Sequence, residues 1–453
     1  MSYAALIFSH SITPRLRFVV DFLSQYYGLS LKLISDEEKY RDAKDACKIN
    51  YSYHQISSGE IFIHSHVLLF ETSIRPVKIE CFEIRREPQA SQTLPTSNSY
   101  KAFFRTHGDF EFDLLAGIFY LISRYEEYLP HKKDMFGRYA HENSLAFKEN
   151  FLHLPLINIW LEDFRTILAR KNPEFNARKP TFSFVPTYDI DMAWSFRNKG
   201  LKRNAGAITI LFLKAKFRSA IHRIKVLRRK KPDPFDAYEW MDNLHESYRV
   251  KPFYFFLVAK EKSRFDKNIH PSNEEFIRLI RSISSRYQVG LHPSWASGDE
   301  SSLLEKERHS LEHITSKHIE ASRQHFIRMQ LPSTYQNLLN AGIQNDYSMG
   351  YGSINGFRAS IASPFYWYDL KNDTATNLLI HSFCFMDANA YYEEKLSAEE
   401  ALKQIMWYYE VIKSVNGTMI TIWHNSFLGT AKEFEGWREV YEEFVRRVVN
   451  RES

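Results

Sequence analysis

Hydrophobic and polar positions follow two different rhythms along this chain. In the first third, FEFDLLAGIFYLISRYEEY, Phe110–Tyr128, carries apolar residues at helical spacing and predicts a buried helix. A second helix is expected over Leu156–Leu168. The polar stretch EPQASQTLPTSNS, Glu87–Ser99, predicts a loop. KNPEFNARKP, rich in Pro, Asn and charge, predicts a domain boundary near Asn176, dividing residues 1–176 from 177–453. Beyond it, short apolar or aromatic runs recur at Thr181–Thr187, Pro252–Ala259, Gln288–Leu291, Leu378–Phe385 and Thr418–Trp423. Amphipathic patterns fall between them, over Phe235–Tyr248, Asn273–Tyr287, Pro332–Ala341 and Ala398–Val415. Strands alternating with helices predict about seven parallel β/α units. A β/α barrel or a doubly wound sheet fits, and in both the chemistry gathers at the carboxyl ends of the strands.

Composition adds boundaries. With 453 residues, 44% hydrophobic and 25% charged, the chain is globular. About 150 residues per domain gives two or three domains. Charge is unevenly placed. From Met192 to Pro232 there are 13 Lys or Arg and no Asp or Glu; elsewhere 47 bases face 54 acids, a net of −7. A uniformly basic protein is excluded. Cys47, Cys81 and Cys384 are too few and too scattered for a disulfide framework or a zinc ribbon, and fit a reducing compartment. The first residues hold a five-residue apolar run with no basic segment before it, so no signal peptide is expected. The expected location is cytoplasmic, peripheral at the inner membrane face if the basic segment touches lipid.

That segment, about 196–232, interleaves Ile208, Leu211, Phe212, Ile221, Ile224 and Leu227 with Lys214, Arg218, Lys225 and Arg228. The spacing predicts a basic amphipathic helix or hairpin. Three readings stay open: an insertion packed on the main fold, contact with anionic lipid through residues 197–231, or nucleic-acid binding. No DNA or RNA motif accompanies the charge, which disfavours the last.

The candidate chemistry sits at strand ends. SFVPTYDIDMAW closes a hydrophobic run with Asp189 and Asp191, whose i, i+2 spacing points both carboxylates to one side of a strand. Such a pair serves as metal ligand and base, as acid and base, or as a solvated turn. YQVGLHPSW places His292 after a short strand; ASRQHFIR offers Arg323 and His325; SFCFMD ends in Asp387; GTMITIWHN reaches His424. Any one of these is commonplace. Five strand ends offering Asp, His or Arg favour a metal-dependent hydrolytic site.

In order and character these segments resemble the polysaccharide deacetylase family, the carbohydrate esterases with the NodB-type domain. The resemblance covers roughly Lys179 to Val449. It implies a distorted seven-stranded β/α barrel that removes acetyl groups from N-acetyl sugars with a divalent ion, zinc or similar. TYDID is similar to the Asp-pair motif and implies Asp189 as base and Asp191 as ligand. KPFYFFLVA is similar to the next strand. GLHPSW implies His292 as ligand. The Arg323 run is similar to the motif whose arginine steadies the base, with Asp346–Ser348 as its turn. TMITIWHN implies His424 as general acid, and Asp387 can hold that ring in one tautomer.

Two departures stand out. The position four residues after His292, where the family usually has a second histidine, is Ala296, and His325 is the substitute ligand or a structural histidine. Asp191 and His292 are 101 residues apart, so the basic segment reads as an insertion. ISRYEEYLPHKKDMFGRYAHENSLAFKENFLHLPLIN resembles part of an uncharacterised α/β domain that precedes the barrel in some bacterial proteins. Arg124, Glu126 and Glu127 there read as surface salt-bridge and capping groups, and Arg358 as a ligand for an acidic sugar or a turn cap. The implied partner is an N-acetylated glycan or its precursor. The competing readings are a metal-free barrel serving as a glycan-binding or scaffold protein, and another hydrolase such as an amidase.

Overall fold

The computed structural model describes residues 5–43, 47–85, 99–173, 177–261 and 263–450. The loop expected over Glu87–Ser99, its last residue excepted, and the boundary expected near Asn176 lie outside them. Strands β1 (Ala5–Phe8), β2 (Leu31–Ile34), β3 (Cys47–Ser52) and β4 (Ile61–His64) form a parallel sheet in the order β2-β1-β3-β4. Strands β5 (Phe82–Arg85) and β6 (Ser99–Ala102) make an antiparallel pair. The helix Pro14–Tyr27 begins where Thr13 accepts from Leu16 N, with proline in its first turn, and stops at Gly28 in the left-handed region.

The helix expected over Phe110–Tyr128 is shorter, Leu114–Ile122. Asp113 starts it by accepting from Ala116 N, and also accepts from the Tyr51 hydroxyl and His66 N. Arg124, at φ 54°, ends it before a separate turn at Tyr125–Tyr128. Helix Leu156–Lys171 matches the second expectation.

The second sheet has nine strands where seven in a barrel were expected. They are β7 (Ser183–Ile190), β8 (Phe253–Phe256), β9 (Gln288–Leu291), β10 (Ala321–Ser322), β11 (Asn345–Met349), β12 (Phe365–Asp369), β13 (Thr374–Ser382), β14 (Phe385–Met386) and β15 (Thr418–His424). Their order is β12-β13-β11-β10-β9-β8-β7-β15-β14, with two free edges, so the sheet is open rather than a closed barrel. Only the β12–β13 pairing is antiparallel. Asp346–Ser348, expected as a turn, lies within β11.

The sheet nevertheless curls. Laid flat at about 4.8 Å per step, the strands from β10 to β15 would span about 19 Å. Yet His325, just past β10, and His424, at the end of β15, both reach within 3.6 Å of Asp191. Curling gives each strand an inner and an outer face. Phe253, Phe255, Tyr347, Phe383, Ile420 and Ile422 pack together on the inside. Tyr254, Phe256, Tyr188 and Ile190 turn outward into the helix-covered core.

The two sheets share a core. Phe18 of the first helix meets Tyr368 of β12 with ring centroids 4.9 Å apart. Buried Arg15 donates to Asp373 at 2.9 Å. Arg124, Glu126 and Glu127 are buried, not on the surface. Arg124 donates to both glutamates, and Arg358 donates to Glu127 through Nε (2.8 Å) and Nη2 (2.5 Å). Arg358 is therefore neither a free sugar ligand nor a turn cap; it pins the N-terminal segment to the large sheet.

The basic segment folds as two helices, Leu201–Leu213 and Phe217–Leu227. No described helix is long and apolar enough to cross a membrane. All three cysteines are free thiols.

Candidate active site

The seven side chains singled out in the sequence meet at the carboxyl ends of the large sheet. Thr187, Asp189 and Asp191 follow one another at i, i+2 on the inner side of β7 and just past its end. Asp189 is buried and accepts from Arg323 Nη1 at 2.9 Å. The same nitrogen donates to Thr187 Oγ1 (2.7 Å), Nε donates to Tyr347 O (3.0 Å), and the guanidinium lies 4.4 Å from the centre of the Phe255 ring. Asp346 braces this corner within β11. It accepts from the hydroxyls of Ser348 and Ser322, and Ser348 Oγ accepts from Gln324 N, fixing the backbone beside Arg323.

Three histidines share one arrangement. His292 Nδ1 is 2.6 Å from Arg323 O. A carbonyl only accepts, so Nδ1 carries the proton and Nε2 is left with its lone pair, 3.1 Å from Asp191 Oδ1. His325 Nδ1 lies 3.0 Å from Asp266 Oδ1, and its Nε2 is 3.6 Å from Asp191 Oδ2. His424 Nδ1 lies 2.6 Å from Asp387 Oδ1, and its Nε2 is also 3.6 Å from Asp191 Oδ2. An acceptor behind each ring fixes its tautomer and aims Nε2 at the same carboxylate.

Electrostatics follow from this packing. Burial would raise the Asp191 carboxyl, but the charge of His325, chiefly, holds it well below the usual range. Burial lowers His325, and the charges of Asp191 and Asp266 outweigh it, lifting the ring to about 9. His424 is likewise depressed by burial and lifted, chiefly by Asp387, to about 10. Asp387 is raised by burial against the opposing charge of His424.

Ligand atoms of Asp191, His292 and His325 lie within 4.8 Å of one another, a spacing that can hold one metal ion. Asp191 Oδ1 is buried and makes no aligned hydrogen bond despite its nearness to His292. One carboxylate oxygen and two imidazole nitrogens, His325 giving up its Nε2 proton on ligation, are a donor set that suits zinc with an open position. Ala296 contributes nothing here. It starts a short turn, Ala296–Gly298, and faces a separate cavity with Asp266 and Glu307. Glu307 accepts from Ser294 N at 2.9 Å and supports the loop after His292.

The site opens into a cavity of about 350 Å³. Phe326, Tyr392 and Phe427 line its walls, and two further lining residues come from the N-terminal part, Phe136 and Arg138. Arg138 donates from Nε to Asp134 Oδ2 at 2.6 Å and from Nη1 to Phe326 O at 2.7 Å. It passes over Gly352, where a Cβ would meet Nη1 at 2.0 Å. Asp266, Phe136 and Arg138 were not anticipated. Asp266 sits in an irregular loop, where no periodicity marks it. Phe136 and Arg138 lie outside the β/α pattern altogether. A paired Asp–x–x–x–Arg, Asp134 with Arg138, was the one signal available, and it reads as an ordinary helix pair.

Residues 5–173 match a family described as of unknown function, DUF7033. No curated protein sequence matches the chain. Among solved structures, the chain is similar to a Mycobacterium smegmatis protein assigned as a polysaccharide deacetylase, at 13% identity and a TM-score of 0.38, covering 60% of this chain and 85% of that one. It is also similar to a Bacillus cereus polysaccharide deacetylase at 10% identity and a TM-score of 0.28, covering 60% and 88%. A third likeness is to a mutant of a CE4-family pseudoenzyme with restored enzymatic activity, at 10% identity and a TM-score of 0.28, covering 61% and 65%.

Proposed function

We propose that the protein is a metal-dependent hydrolase that removes an N-acetyl group from an amino sugar in a glycan or glycan precursor. The observation that carries this reading is the convergence of Asp191, His292 and His325 on one point, beside a separately braced carboxylate and a separately braced imidazole. Those three side chains would hold a divalent ion such as zinc, and His325 takes the part that a histidine at position 296 would otherwise play. When bound, the ion supplies Lewis-acid polarisation of the acetamide carbonyl.

The remaining groups divide the proton work. Asp189 accepts the proton of the attacking water, and Arg323, fully buried against it, holds the carboxylate in place through its 2.9 Å hydrogen bond. His424, charged by its pairing with Asp387, donates a proton to the departing amine. Two proton carriers with separate supports avoid competition for one proton. Phe326, Tyr392 and Phe427 offer the apolar faces on which a sugar ring stacks.

The test combines metal binding with product release. Chelator-stripped protein titrated with Zn²⁺ should bind one ion, and His325→Ala should weaken that binding about 100-fold or more. Asp189→Asn should keep the ion and lose nearly all acetate release from N-acetylglucosamine oligomers. Stoichiometric zinc binding without acetate release would instead favour hydrolysis of a different amide. No zinc binding at all would remove the reading.

A further inference from the structure

The basic helical pair has a firm root and an open tip. At the root, Asp233 accepts from the backbone N–H groups of Ser195, Phe196 and Arg197. Arg197 donates to Asp236 and Glu275 at 2.9 and 3.1 Å. Asn204 and Arg223 join the two helices by hydrogen bonds near this end. The expected alternative, an insertion packed along its apolar face, holds here only. At the tip, every residue from 212 to 219 is exposed. Leu213 is 82% exposed, Phe217 54% and Ile210 53%. Lys214, Lys216 and Arg218 stand among them with no acidic partner among the described residues.

We propose that the tip of this helical pair docks the protein on an anionic lipid surface, its aliphatic and aromatic side chains entering the headgroup layer and its cations pairing with lipid phosphates. Charge complementarity selects this occupant. A second copy of the same chain would bring two acid-free basic tips together, and they repel. Nucleic acid would neutralise the cations, yet it gives exposed Leu213 and Ile210 nothing to enter. A bilayer surface satisfies both halves, apolar groups below and phosphates beside the cations.

Topology adds an orientation. The pair leaves the sheet from the carboxyl end of β7, immediately after Asp191, and Lys199 lies 3.6 Å from Met192, a residue lining the cavity. The docking element is therefore on the cavity side of the sheet.

Flotation of the full-length protein with vesicles of phosphatidylglycerol, compared with phosphatidylcholine, tests it. The wild type should float with the anionic vesicles only, and salt should weaken the association. Leu213→Ser with Phe217→Ser keeps every charge and should cut the bound fraction about ten-fold. Lys214→Glu with Lys216→Glu should do the same by removing the electrostatic half. These side chains are exposed, so unchanged circular dichroism and melting are expected of both variants. Equal flotation of the serine variant overturns the docking claim, leaving only diffuse charge attraction. Absence of vesicle binding overturns it too, whether or not the tip proves to bind duplex DNA or to dimerise in light scattering.

Discussion

At the scale of residues, the site depends on what stands behind each functional group. Asp387 holds the His424 ring through Nδ1 and also accepts from His424 N at 2.7 Å. Asp387→Asn keeps the shape but offers an amide where a carboxylate stood. It should lower acetate release about 100-fold or more while zinc content stays at wild-type level, measured on the same preparation. A different residue sets a pH limit on folding. His245, whose Nε2 lies 2.6 Å from the Tyr188 hydroxyl, is pushed down to about 3 by burial and, secondarily, by Arg286. The folded ring stays neutral while the unfolded one takes a proton near pH 6.5. Stability is therefore whole above pH 6.5 and falls as pH drops from there toward 3. By pH 5 the loss from this group is about 2 kcal/mol. Urea unfolding of His245→Gln should show a shallower decline over that window; an unchanged slope would place the acid sensitivity elsewhere.

At the scale of elements, the segment around Phe136 and Arg138 is the part of the N-terminal region that enters the cavity. Its guanidinium is held on one edge by Asp134 and Phe326 O. If the cavity takes a glycan as proposed, Arg138→Ala should raise KM about ten-fold with kcat and zinc affinity little changed, the outcome for a wall residue that binds substrate without touching the reacting atoms. Gly352→Ala should raise KM in the same way with the arginine still in the sequence, since the new methyl would meet Nη1 at 2.0 Å and Phe326 O at 2.9 Å and push the side chain aside. A fall in kcat alone would place Arg138 nearer the chemistry than its position implies. The recognised strands set this cavity's floor, and an element outside the β/α rhythm supplies part of its wall.

At the scale of the whole molecule, the two sheets are bound by a buried charge network as well as an apolar core. Glu127 is the shared partner of Arg124 and Arg358, and although burial opposes ionisation, their charges hold its carboxyl at about 2. Glu127→Ala leaves buried Arg358 without its counter-charge and Arg124 with Glu126 alone, and should cost about 3–5 kcal/mol in chemical denaturation. Glu127→Leu combined with Arg358→Met should recover much of that loss, because two apolar groups of similar volume need no counter-charge. If the double variant is no more stable than Glu127→Ala, the network does more than balance charge.

The sequence by itself determined the parallel β/α character, the helices at Leu156–Lys171 and Ala398–Ser414, and the strand ends on which Asp189, His292 and His424 stand. Those features are local: they follow from periodicity and from a polar residue closing an apolar run. Strands β10 and β14, of two residues each, were legible only through the Arg323 and Asp387 that follow them, and β12 was not legible, because an edge pairing leaves little periodicity. Of the ring supports, Asp387 behind His424 was read from the sequence, but Asp266 behind His325 was not, since that pair joins residues 59 apart through a loop without pattern. The surface reading of Arg124, Glu126 and Glu127 failed for the same reason: the charge that permits their burial, on Arg358, arrives from 231 residues away. Only the curl of the large sheet decided that three histidines from separate strand ends would face one aspartate. Curl depends on how nine strands pack against helices on one side and against each other on the inside, and no single segment encodes that.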